Sequence, residues 1–240
     1  MSTSPRADGV DPASAPFHEL VGFAAYTELA GFGLLAALSV DAADLATRQA
    51  LADGAERALA RQRALVALVA PKGGPTSGTA AQVMAPFDGV LAEFDTRTRT
   101  ADWAEGLLTG VVGHGVAQDF CRALATGVPG SQGKDLRAVL DRLAHPSATP
   151  GEAEPILVLG RAAAADDVLA SRLALWGRRV VGEALNLVTG QLDSRPMLAG
   201  LAADAARAAG ADVGNGGRSW LVTRLTGEHT RRMDRLRLAA

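Results

Sequence analysis

The sequence holds one cysteine, Cys121, in 240 residues. That excludes an internal disulfide and any zinc site built from several thiolates, and it suits a reducing, cytoplasmic setting. Lysine occurs only at positions 72 and 134, so nearly all the positive charge is arginine. The formal net charge is −2 and the pI is near 6.1, which gives no overall attraction for nucleic acid or for an anionic membrane. Aromatic residues make up 4% of the chain. Runs of β-branched residues and apolar/polar alternation are also sparse, so the signature of strands is missing. No glycine-rich phosphate loop, dinucleotide fingerprint or nucleophile elbow is present.

What remains is rich in Ala, Leu and Arg and 48% hydrophobic, enough to bury a core as one domain. Residues 1–15 read as a disordered tail and residues 16–240 as a single all-α helical bundle. Helices are expected over about 16–40, 42–70, 87–96, 101–126, 134–145, 155–169, 171–190 and 218–238, with a Gly/Pro/Ser/Thr-rich loop over 71–86. The first of these, "LVGFAAYTELAGFGLLAALSV", is apolar on all sides and long enough to cross a bilayer. Its central Glu28 and its lack of flanking basic residues argue instead for the core helix of a bundle. The preceding residues carry no secretory-signal pattern.

Burying an ionised carboxylate is costly unless it is paired, protonated or bound to a metal. Glu28 poses that problem on helix 16–40. Asp119 poses it again on helix 101–126, within "GLLTGVVGHGVAQDF". One lone acid on each of two apolar helices is half the signature of a carboxylate-bridged di-iron bundle; the other half is a Glu-x-x-His on each of two further helices, whose spacing sets acid and imidazole on one face.

The segments "PFHELVGFAAYTELAGF", "FDTRTRTADWAEGLLTGVVGHGVAQDF", "ASRLALWGRRVVGEAL" and "LTGEHTRRMDRLRLAA" resemble an actinobacterial ferritin-like family related to the tRNA hydroxylase that oxidises the isopentenyl group of a hypermodified adenosine. The resemblance runs from about residue 16 to the C-terminus. It implies a ferritin-like bundle in which two irons activate dioxygen, with Glu28 and Asp119 as ligands. The Glu-x-x-His elements are absent, because the residues three before His18, His114, His145 and His229 are Ala15, Val111, Arg142 and Thr226. On the second helix the family's pair falls on Glu56 and Leu59 or on Ala58 and Arg61, and the latter register brings a cation to a metal position. The second pair falls on Pro150 to Glu152, or on Arg142 and His145 with Pro146 ending the helix.

The favoured reading is therefore a ferritin-like protein with a lost di-iron centre and no cofactor, a binding or assembly protein that associates with itself as a dimer. Glu28 and Asp119 would then hydrogen-bond to neighbours such as Arg57, Arg61 or Tyr26. Two alternatives stay open. One is an oxygenase acting on a tRNA base or a small apolar molecule, with a carboxylate-rich di-iron site drawing on Glu56, Glu152 or Glu183. The other is metal-free proton transfer by Glu28 or Asp119 with a pKa raised by burial. If Glu28 is unpaired, Glu28→Gln should leave stability level or raise it. His114 and Cys121, seven residues apart and so about 10 Å along a helix, are expected to pack rather than react. Gly110, Gly113 and Gly115 are expected to permit close helix approach, and Arg179 and Glu183 to form an ion pair at i, i+4. The arginines at 224, 231, 232, 235 and 237 make the last helix basic, a face that reads as solvated.

Overall fold

The computed structural model describes residues 14–70, 76–142 and 155–240, and among them there is no strand. The expected tail lies outside the described residues up to position 13. Helix α1, Ala15–Val40, has Pro16 in its first turn, where a missing N–H costs nothing. Asp44 then starts α2, Leu45–Ala67, by accepting the Thr47 N–H at 2.8 Å. The two helices pack along their length.

The segment expected to be a loop over 71–86 contains a helix, α3, Thr76–Met84, and a 3₁₀ turn from Ala85 to Phe87 leads out of it. After α4, Ala92–Arg97, Asp102 caps α5, Trp103–Thr109, with a 3.0 Å bond from the Glu105 N–H. The helix expected over 101–126 is not uniform. It passes through a π turn at Gly110–His114 before continuing as α6, Gly115–Ala125. Next come α7, Gly130–Arg142, and α8, Pro155–Ala165.

The break expected at residue 170 falls instead at Asp166, whose carboxylate accepts from the Val168 and Leu169 N–H groups and starts the long α9, Asp167–Ser194. A further helix absent from the sequence reading, α10, Pro196–Ala208, opens on Pro196, and α11, Arg218–Arg235, closes the bundle.

Two apolar clusters fill the interior. One gathers Phe17 to Ala25 of α1 with α6, α10 and the ends of α9 and α11 around Phe23, Phe87 and Phe120. The other joins Leu35 of α1 to Leu51 of α2, Leu107 and Leu108 of α5, Leu173 of α9 and Met233 of α11. Between them on α1, α2, α6 and α11 lie Glu28, Arg61, Asp119 and Arg232. The bundle thus carries a polar layer at mid-height, bracketed by two hydrophobic cores. Helix α1 is long and apolar enough to span a membrane, yet more than half of its most apolar stretch is buried against its neighbours.

Candidate functional site

The centre of the polar layer is Glu28, whose side chain is 4% exposed. Its Oε2 accepts from Arg61 Nε at 2.7 Å, and its Oε1 accepts from Gln118 Nε2 at 2.9 Å. His114 Nε2 lies 3.0 Å from Oε2; an ionised carboxylate can only accept, so the imidazole carries its hydrogen on that nitrogen. The sequence explains the convergence only in part. His114 and Gln118 stand four apart and share a helix face, but it is the π turn that brings this face onto α1. Gly31 provides the room, since a Cβ there would lie 2.7 Å from the His114 ring. His114 is therefore a polar partner of Glu28 and not the packing residue expected, whereas Cys121 is fully buried and inert. Burial pushes its thiol well above the ordinary range.

Asp119 forms a separate cluster one residue further round α6. Arg122 donates to Oδ1, and Arg232 of α11 donates to Oδ2 at 2.6 Å. Arg232 is as buried as the acid it binds, each side chain being 7% exposed. Gly115 makes this geometry fit, because a Cβ there would come within 2.4 Å of Arg232 Nε. The glycines expected to bring helix backbones together instead admit large side chains from the facing helices. The last helix likewise turns one arginine of its basic set inward.

The other candidates fall elsewhere. Glu56 is on the exposed face of α2, while Ala58 is fully buried and Arg61 reaches Glu28, which fixes the register of that helix. Glu183 lies 3.7 Å from Arg97, and the expected pair with Arg179 does not form. Arg179 instead donates to the Arg97 carbonyl and lies over the Trp176 ring. The Tyr26 hydroxyl accepts from the Gly89 N–H. His145, Pro150 and Glu152 lie outside the described residues.

The di-iron centre implied by the resemblance does not fit these residues. Its carboxylates must turn free oxygens toward metal, but both oxygens of Glu28 and both of Asp119 are taken by protein donors, three of them guanidinium groups. Gln118, not Asp119, faces Glu28, so the two acids do not share one chamber. Among the described residues no three His, Cys, Asp or Glu side chains gather into a metal-binding group.

Burial alone would raise the Glu28 carboxyl, but His114 and Arg61 outweigh it and hold it at about 2, against an ordinary 4.5. The raised pKa expected from burial is overturned, and with it the use of Glu28 as a proton donor near neutrality. Since Arg61 would be stranded by its loss, Glu28→Gln should destabilise, contrary to the sequence expectation. His229, 3% exposed with neither ring nitrogen hydrogen-bonded among the described residues, is held down to about 4 from 6.5 by burial and by Arg232.

Both folded pKa values lie below their unfolded ones, so each group favours the folded state at higher pH and loses that contribution on acidification. Stability is expected to fall in two stages, from about pH 6.5 to 4 through His229 and from about pH 4.5 to 2 through Glu28. The second stage amounts to roughly 3 kcal/mol at 1.36 kcal/mol per pKa unit. Urea unfolding at a series of pH values checks this, and His229→Leu should remove the upper stage alone.

An open cleft of about 920 Å³ adjoins the layer, between the C-terminal half of α1 and the α4–α5 segment. Leu34, Leu38, Phe94, Trp103 and His114 are among its walls. Trp103 is fixed by donating to the Leu38 carbonyl at 3.0 Å. In comparison with known proteins, residues 14–208 match a family described as a ferritin-like domain of actinomycetes. No curated protein matches the chain.

Proposed function

The chain belongs to the actinomycete ferritin-like domain family, and from that premise we propose that it is a metal-free member of the fold that binds a small, largely apolar molecule. The observation that carries this reading is the enclosure of Glu28. Arg61, His114 and Gln118 saturate the carboxylate, and the guanidinium supplies the positive charge that a metal would otherwise bring. A divalent ion entering this position would have to displace Arg61 and lie beside its charge in a low-dielectric interior.

Loss of the iron site leaves the scaffold and its cleft. At about 920 Å³ the cleft is in the range of small-molecule sites, with a surface that is mainly apolar but includes Asp41, Asp95, Arg99 and Asp102. Its polar residues, Asp102, Thr109 and His114 among them, would orient a ligand rather than supply most of the binding energy. Hydroxylation of a tRNA base or another substrate, the activity of the family named by resemblance, would require a metal that this donor set does not accommodate.

Protein purified from iron-rich culture tests the reading by metal analysis together with native mass spectrometry. The expected result is far less than one iron per chain and a retained organic molecule of low polarity. About two irons per chain, bleached by reductant, would refute it.

A further inference from the structure

On the other side of the α1–α6 contact from the cleft lies a second cavity, of about 240 Å³. Gly31, Leu34, Gly110 and His114 form the wall between the two. The chemistry of the smaller cavity is different. Five arginines line it, Arg57, Arg61, Arg122, Arg232 and Arg235, drawn from α2, α6 and α11, and no acidic side chain is among its lining residues that are described. Two carboxylates stand behind the lining, Glu28 and Asp119, and three of the five arginines already bind them. Arg235 adds exposed positive charge at the C-terminal end of α11.

The Arg232 guanidinium shows that its pairing is incomplete. Its Nη2 reaches Asp119, but its buried Nη1 has no hydrogen-bond partner among the described residues. Nη1 is sealed from solvent, so it faces protein and not the cavity, whose positive charge is carried by the guanidinium groups that line it.

We propose that this cavity binds a tetrahedral oxyanion, the group presented by free phosphate or by a phosphate ester. Guanidinium groups match such an anion because each offers paired N–H donors in a planar fork, and several converging forks can share its oxygens. The volume fits as well: at about 30 Å³ per water, it holds roughly eight waters, enough for a phosphate group and a small esterified fragment. Arg61 and Arg122 serve both the acids and the anion. An anion seated here is thereby tied to the same layer that holds Glu28 and Asp119. The site is separate from the apolar cleft and does not depend on what the cleft binds.

Isothermal titration of inorganic phosphate into the full-length protein, at constant ionic strength with chloride as control, tests the proposal. One saturable site per chain is expected, with affinity at least tenfold weaker in Arg235→Gln. Arg235 is exposed, so this variant should keep the wild-type melting temperature. Arg57→Gln provides a second variant with the same expected loss of affinity. Competition by phenyl phosphate distinguishes the two sources: tighter binding of the ester identifies an ester ligand, and tighter binding of phosphate identifies the free anion. Absence of saturable heat, an equal response to chloride, or an affinity unchanged in both variants would overturn the site.

Discussion

Replacing Asp119 by Ala should destabilise the protein by about 3–5 kcal/mol, the cost of breaking a buried ion pair and leaving its partner charged. For a chain of this length that corresponds to a fall in Tm of about 6–20 °C. The magnitude follows from what remains. Arg232 would keep its charge in a site where its side chain is 7% exposed, and its hydrogen-bonded Nη2 would join Nη1 in having no partner among the described residues. Arg122, at 25% exposure, can turn toward water and should contribute less. The double variant Asp119→Ala/Arg232→Met separates lost pairing from lost packing. Removing both charges should recover much of the single-variant loss, because the methionine chain fills the space beside Gly115 without a charge to solvate. Chemical denaturation of the wild type, both single variants and the double variant checks this; a double variant as unstable as the sum of the singles would contradict it.

Arg61→Met should have the next largest effect, a loss of about 3 kcal/mol at neutral pH. Glu28 would keep Gln118 and His114 but lose its permanent cation. The pH dependence should change as well. Without Arg61 the folded pKa of Glu28 should rise from about 2, so the acid stage of unfolding moves toward neutral pH and shrinks. The paired change Glu28→Met/Arg61→Met should approach or exceed wild-type stability, since a well-packed apolar pair avoids the desolvation cost borne by both ions. Recovery in the paired variant would also show that the layer is retained for something other than stability.

Much of this architecture could be read from the amino acids. Ala- and Leu-rich segments without period-two patterning gave the all-α class, and Glu28 stood out because a lone charge on an apolar helix must be compensated somewhere. Arg61 stands among its candidate partners through the register that the resemblance implies.

Where the structure departs from these expectations, the physical causes are specific. His114 reads as packing because uniform helical periodicity does not anticipate a π turn, which shifts the face that follows it. Gln118 carries no charge and so gave no signal beside Asp119, although it is the α6 residue that meets Glu28. Arg232 sits among other arginines on a helix that reads as solvated, and nothing local marks the one that turns inward. Asp166, as N-cap, starts α9 ahead of the break that the periodicity predicts. Pro196 marks the start of α10 in a stretch where no helix is expected.

The π turn at Gly110–His114 has a further consequence. An extra residue in one turn of a helix acts as a phase shift: before it, α5 addresses Trp176 and the cleft wall, and beyond it, α6 addresses the acid of α1 and the guanidinium of α11. One continuous rod thereby serves two sets of partners whose spacing no single helical frame could satisfy. Rewinding that turn as ordinary α-helix with the same residues would rotate all of α6 by about one residue's 100°. Every contact of Glu28 and Asp119 with α6 would then lose its alignment together, so the polar layer depends on a single surplus residue as much as on the side chains that compose it.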